Sequence, residues 1–153
     1  MRKSTLRDVA SQQNEVTNNL RRYARLLNFA QPMDMSNRVK EMIAYIHDHL
    51  FEPSLTLEKI QSECNAKNHN ITTEFRRVMG VGIWQYVIRA RLRGAVAVLS
   101  KHKVNIYVLA TAVGYTEEAF SRAFKNRYGC SPMQYHKKQV RDDRTGIVFW
   151  SRI

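Results

Sequence analysis

The chain has 153 residues, enough for one domain or two very small ones. Its 44% hydrophobic content supplies a core and excludes wholesale disorder, while 25 Lys and Arg against 13 Asp and Glu leave a formal charge of +12 that favours phosphate polymers or anionic surfaces as partners. No apolar run approaches the roughly 18 residues of a membrane span, and no apolar segment follows Met1-Arg2-Lys3, so no membrane partner and no signal peptide are expected and the cytoplasm is the expected location.

Six Gly and three Pro are all that interrupt a chain dominated by helical periodicity. A first helix is predicted from about Thr5 to Phe29, with Thr5 and Asp8 as a variant capping box and Pro32 barring continuation. Within it Leu6, Val9, Gln13, Val16, Leu20, Tyr23 and Leu27 alternate in steps of three and four, a heptad seam. Two readings of that seam stay open. It pairs with a second copy, making a weak homodimer that tightens on a phosphate polymer, or it packs back beside the next helix.

That next helix is predicted from Asn37 to Leu50, with Val39, Met42, Ile43, Ile46 and Leu50 on one face. Two short helices follow: Leu57 to Cys64, capped by Thr56, and Asn68 to Met79, stopped by Gly80 and Gly82. A longer helix runs from Ile83 to Lys101. The pair of short helices then returns as Ile106 to Val113 and Glu117 to Tyr128. Ser131-Pro132 opens a last short helix, and the apolar run Ile147-Val148-Phe149-Trp150 in the tail is expected to dock on its own domain or on another protein.

The return is a repeat. Phe75 and Phe124 stand 49 positions apart, and the same offset links Leu57 with Ile106, Ile60 with Leu109, Ile71 with Phe120, Gly80 with Gly129, Gln85 with Gln134 and Tyr86 with Tyr135. Two copies of one supersecondary unit are the simplest account. In the second copy small Ala110 admits a crossing helix and Gly114 supplies the positive φ of a tight turn. Thr116 then caps a helix whose Phe120 and Phe124 face inward. Small residue, Gly and cap in this register describe a helix-turn-helix, whose second helix presents its outer face to a DNA major groove.

Gly114-Tyr115, Phe120-Ser121-Arg122-Ala123-Phe124-Lys125, Tyr128-Gly129, Ser131-Pro132 and Tyr135 resemble the signature of the AraC/XylS family of bacterial regulators. Leu57-Glu58, Phe75-Arg76, Gly80, Tyr86, Arg91-Leu92, Ala95 and Leu99 match it more loosely. The resemblance spans about Ser36 to Lys138. It implies an all-α fold of two helix-turn-helix subdomains on a linking helix, here preceded by an N-terminal amphipathic helix. The expected division is residues 1–33 for the N-terminal helix, 36–138 for the DNA-binding domain and 139–153 for the tail. Within the domain, the first helix-turn-helix lies at about 56–79, the linking helix at 83–101 and the second helix-turn-helix at 106–128.

Sequence-specific regulation of transcription on double-stranded DNA, at the bacterial nucleoid and with RNA polymerase as a further partner, is what the resemblance implies. Many family members also carry a sensory domain, for which there is no room before Ser36. The chain is therefore similar either to standalone members or to a piece of a larger regulator. It departs from the family pattern in its first unit, where Gln61, Asn65 and Lys67 hold the small-residue, turn and cap positions. Asn tolerates the left-handed turn, and Asn68 replaces Lys67 as the expected cap because an ammonium only donates. The second unit is one residue shorter than the pattern between Gly114 and Phe124.

Outward positions name the candidate contacts. His69, Asn70, Thr72, Thr73 and Arg76 in the first unit and Ser121 and Arg122 in the second are expected to read bases, with Arg122 foremost because Arg is the commonest bidentate partner of guanine. Lys67, Arg89, Arg91, Arg93, Lys101, Lys103 and Lys125 are candidate phosphate contacts. Cys64 and Cys130 stand alone, the five His show no ligand or triad spacing, and no glycine-rich phosphate loop occurs. No metal, cofactor or enzymatic activity is therefore expected. The alternative is a protein-interaction module whose degenerate first unit no longer reads DNA.

Overall fold

Ser36, Thr56, Asn105 and Thr116 each hold the chain extended and offer a side-chain oxygen to a backbone N–H two or three residues on, so helices begin directly after them. The computed structural model describes residues 2–28, 34–67 and 69–145, and among them eight helices and no strand are found: α1 (Arg2–Leu27), α2 (Asn37–His49), α3 (Leu57–Glu63), α4 (His69–Met79), α5 (Ile83–Leu99), α6 (Ile106–Ala112), α7 (Glu117–Tyr128) and α8 (Pro132–Thr145). The all-α class and the order of elements are those expected. Among the described residues no helix is long and apolar enough to cross a membrane.

Two boundaries differ from expectation by more than two residues. Helix α1 starts at Arg2, so Thr5 lies inside the helix rather than capping it. Helix α8 runs for 14 residues, longer than the short helix expected. Its start is a reciprocal capping box, in which the Gln134 N–H donates to Ser131 Oγ (3.2 Å) and the Ser131 N–H donates to Gln134 Oε1 (3.0 Å). The expected cap Asn68 and the apolar run Ile147–Trp150 lie outside the described residues.

Two cores share one helix. The first gathers Val39, Met42, Ile43 and Ile46 of α2 with Ile60, Ile71 and Phe75, and takes Ile83, Val87 and Ala90 from α5. The second gathers Val108, Leu109, Phe120 and Phe124, and takes Leu92, Ala95, Val98 and Leu99 from the rest of α5. Each such large apolar side chain contributes roughly 1.5–3 kcal/mol on burial. At 1.5 Å per residue the 17 residues of α5 span roughly 25 Å.

The heptad seam of α1 is occupied within the chain, which corrects the pairing reading. Val16 and Leu20 are buried in the second core, Val9 packs on it, and Tyr23 and Leu27 pack on the first. Gln13, the polar member of the seam, is exposed, and the Leu6 side chain lies outside the described residues. Polar ties accompany this packing. The Asn105 N–H donates to Gln12 Oε1 (3.3 Å), Glu15 pairs with His102 (3.0 Å), and Asn28 Oδ1 meets His47 Nδ1 at 2.6 Å. Helix α1 thus lies along both units, not beside α2 alone.

Candidate nucleic-acid interface

The repeat read at an offset of 49 is also a repeat of backbone geometry. Helices α3 and α6 each have seven residues and end on Cys64 (φ −92°, ψ 9°) and Val113 (φ −91°, ψ 6°). Asn65 (φ 48°) and Gly114 (φ 85°) then turn left-handed. The Ala66 N–H donates to Gln61 O (2.7 Å) just as the Tyr115 N–H donates to Ala110 O (2.9 Å). At the far end, Gly80 and Gly129 adopt φ 72° and 74°. These constraints fix the rotation of α4 and α7: Ile71 and Phe75 point into one core, Phe120 and Phe124 into the other. The opposite faces are left to solvent.

In the first unit His69, Asn70, Thr73 and Arg76 are exposed on α4, and Thr72 is half-buried. The Thr72 hydroxyl donates to the His69 carbonyl (2.9 Å), so toward a ligand it acts as an acceptor. Arg76 lays its guanidinium along the α4–α5 turn beside Gly82. His69, Thr72, Thr73 and Arg76 form one wall of an open groove of about 620 Å³, faced by Leu57 and Gln61 of α3. In the second unit Arg122 and Lys125 are exposed and Ser121 is half-buried. Glu117 and Glu118 occupy the first turn of α7, where the helix dipole favours them, and Thr116 caps the helix by accepting from the Ala119 N–H (3.3 Å).

The candidate phosphate contacts divide. Lys67, Arg93, Lys101, Lys103 and Lys125 are exposed, and Arg89 is half-buried. Among the described residues the ion pairs found join Lys59 to Glu52 and His102 to Glu15, and neither involves these cations. Arg91 is the correction. Its side chain is only 3% exposed, and its guanidinium donates from Nε to Leu50 O (2.7 Å), from Nη2 to Glu52 O (2.7 Å) and from Nη1 to Gly114 O (3.4 Å). A cation so enclosed is a structural bolt, not a phosphate contact. Charge alone says nothing of which face of α5 the two units cover.

Other residues went unread in the sequence. Arg77 and Arg127 add exposed cations to the last turns of α4 and α7, a signal present in their adjacency to Arg76 and Tyr128. Glu74 holds Ser36 through its N–H (2.8 Å) and hydroxyl (2.9 Å), which keeps the Glu74 carboxyl below its usual range and ties α4 to the start of α2. Buried His47 joins Asn28 to the Tyr86 hydroxyl (2.6 Å), and burial lowers the His47 pKa and pushes that of Tyr86 up to about 12. No local pattern marks such long-range pairs. Among the described residues no cluster of three or more His, Cys, Asp or Glu forms a metal site.

Residues 60–138 match the family model described as a helix-turn-helix domain. The chain is 31% identical over 105 residues to the HTH-type transcriptional regulator AlkR of Acinetobacter baylyi, covering 68% of this chain and 34% of that protein. It is 29% identical over 105 residues to the arabinose operon regulatory protein of Escherichia coli, covering 68% and 35%. The chain belongs to the AraC/XylS family. It spans about a third of the length of the curated relatives it matches. Among solved structures, the C-terminal domain of AraT, a response regulator from Geobacillus stearothermophilus, superposes with a TM-score of 0.65 at 26% identity, covering 78% of this chain and 94% of that one. The DNA-binding domain of AdpA, solved with a target DNA, has the same fold, with a TM-score of 0.63 at 21% identity, covering 74% and 100%. The double helix-turn-helix of the AraC/XylS family is therefore the architecture on which the exposed faces of α4 and α7 are carried.

Proposed function

We propose that the protein is a sequence-specific regulator of transcription that inserts α4 and α7 into successive major grooves of double-stranded DNA. One observation carries this reading. The two helix-turn-helix units repeat each other's turn geometry, and each leaves the polar, cationic face of its second helix uncovered. Arg122 is proposed to pair bidentately with guanine, and Ser121 to assist it. Thr72, Thr73, His69, Asn70 and Arg76 read the other half-site. Lys67, Arg89, Arg93, Lys101, Lys103 and Lys125 hold phosphates and set register. The names of AlkR and of the arabinose operon regulatory protein support a role in transcription. A DNA-bound regulator works in the cytoplasm, and no catalytic step is proposed. The α1 seam, being occupied, is not the surface through which copies would pair.

Selection of binding sites from randomised duplex DNA, followed by fluorescence anisotropy across a salt series, tests the reading. A defined bipartite site should emerge, and the logarithm of affinity should fall linearly with the logarithm of salt at about −0.9 per phosphate contact. Absence of binding at low salt would overturn it in favour of a protein-interaction module.

A further inference from the structure

Helix α5 changes allegiance midway. Of its buried apolar residues, Ile83, Val87 and Ala90 belong to the first core and Leu92, Ala95, Val98 and Leu99 to the second, while half-buried Ile88 already leans on the second. Arg91 stands at the crossing. Its guanidinium reaches back to the first unit, taking the carbonyls of Leu50 and Glu52, and forward to the turn of the second, taking the carbonyl of Gly114. Leu50 is the C-cap of α2, so its carbonyl is one that a helix end leaves without an intrahelical donor. The rings of Trp84, from the start of α5, and Tyr115, from the second turn, lie 5.9 and 5.6 Å from the guanidinium carbon.

No carboxylate accompanies this buried charge among the described ion pairs. Three carbonyl dipoles and two ring faces carry that role, and they come from different units. The cation is therefore well solvated only when both units stand in one relative placement. The fit is close on the far side as well. A Cβ at Gly114 would meet the Arg91 guanidinium carbon at 3.0 Å, and Gly114 already needs φ 85°. Phe51, between Leu50 and Glu52 whose carbonyls accept from Arg91, packs on both cores and would touch a Cβ at Gly94 at 2.8 Å. Helix α1 bridges the same joint by non-directional apolar contact and by hydrogen bonds that each tie it to one unit alone; the Arg91 guanidinium bonds directionally to both units from a single side chain.

We propose that Arg91 is the positioning residue that sets the two recognition units relative to each other, and thereby the half-site spacing the protein accepts. The spacing part rests on the DNA-binding reading above; the placement part does not. Exposed Arg77 and Asn126 occupy equivalent places near the ends of α4 and α7. With Cys64 and Cys130 replaced by Ser, nitroxide labels on Arg77→Cys and Asn126→Cys report the distance between units by pulsed dipolar spectroscopy. One narrow distance is expected in the parent chain, and a broadened or displaced distribution in Arg91→Met and in Gly114→Ala, both helical by circular dichroism. Arg91→Lys, which keeps the charge but not the fork of donors, should fall between.

Fluorescence anisotropy on the duplex selected by the parent from a randomised library then reads spacing. One base pair inserted between half-sites should weaken the parent by about tenfold or more and Arg91→Met by less than about threefold, because a rigid pair cannot follow the added rotation. A folded Arg91→Met with the parent's distance distribution and spacing ratio would overturn the proposal. If Arg91→Met fails to fold, the same two measurements on Gly114→Ala decide. A parent that selects no duplex at all would refute the DNA reading instead, and the label distances would still judge the role of Arg91.

Discussion

The two helix-turn-helix units reach the same backbone by different means. The second does it with locally suited residues: Ala110 at the crossing, Gly114 at the left-handed turn, Thr116 as a bonded cap. The first places half-buried Gln61, Asn65 at φ 48° and Lys67 at the same points, and still closes its turn with an equivalent bond. What compensates in the first unit is tertiary. Ile60, Ile71 and Phe75 are anchored in a core supplied largely by α2, and Glu74 bolts α4 to Ser36. The same local geometry can be specified by the residues in the turn or imposed by the contacts around it, because a few kcal/mol of burial outweigh the tenths to one or two at stake in caps and turns.

The comparison breaks most visibly in the cores. Phe124 meets Phe120, Tyr128 and Tyr135 at centroid distances of 4.6 to 5.6 Å, whereas among the described residues Phe75 meets only Tyr86, at 5.7 Å. Phe124→Ala and Phe75→Ala should each lose about 3–5 kcal/mol in urea unfolding, with Phe124→Ala the larger because its aromatic neighbours lose edge contacts as well. Equal losses would show that the aromatic cluster adds nothing beyond burial.

On DNA the expected effect is about 1–3 kcal/mol for Arg122→Ala on the selected site, with preference relaxed at one base pair. Thr73→Ala should cost less, since a single hydroxyl or methyl contact replaces a bidentate pair. Anisotropy on selected and random duplexes separates the two roles; an equal loss on both would make Arg122 a phosphate clamp.

Caps give a smaller contrast. Thr116→Ala should lower stability by about 1 kcal/mol, while Lys67→Ala at the matching place in the first unit should stay within about 0.5 kcal/mol, both read from thermal midpoints.

The smallest contrast is with pH. His47 is buried with its pKa below the ordinary 6.5, first through desolvation and against a smaller raising effect of Asp48. The unfolded chain therefore binds the proton more readily, so the stability His47 contributes is present above 6.5 and is lost as pH falls through its folded value. Glu74, lowered from 4.5 chiefly by the Ser36 backbone N–H and then by the Ser36 hydroxyl, acts with the same sign below 4.5. Amide exchange should show α2 and α4 losing protection before α7 between pH 7.5 and 5, and His47→Gln should flatten that trend. Uniform loss across both units would refute it.

Much of the architecture was legible in the chain itself. Periodicity placed the helices, Thr56, Thr116 and Ser131 marked starts that the bonds bear out, and the offset of 49 between Phe75 and Phe124 matches a repeat of turns and caps. These signals are local, and helix propensity, capping and turn chemistry act over a few residues. Three assignments needed the tertiary structure. The seam of α1 reads alike whether its partner is a second copy or its own domain, and only the packing of Val16 and Leu20 decides. Arg91 and Arg93 are two similar cations two residues apart, yet one is 3% exposed and the other open to solvent, because two units close over one face of α5 and not the other. His47, Asn28 and Tyr86 lie far apart in sequence and meet only when three helices do. Composition and spacing determine which elements form and which faces are apolar; which charge is buried, and what covers an apolar stripe, follow from contacts between residues distant in the chain.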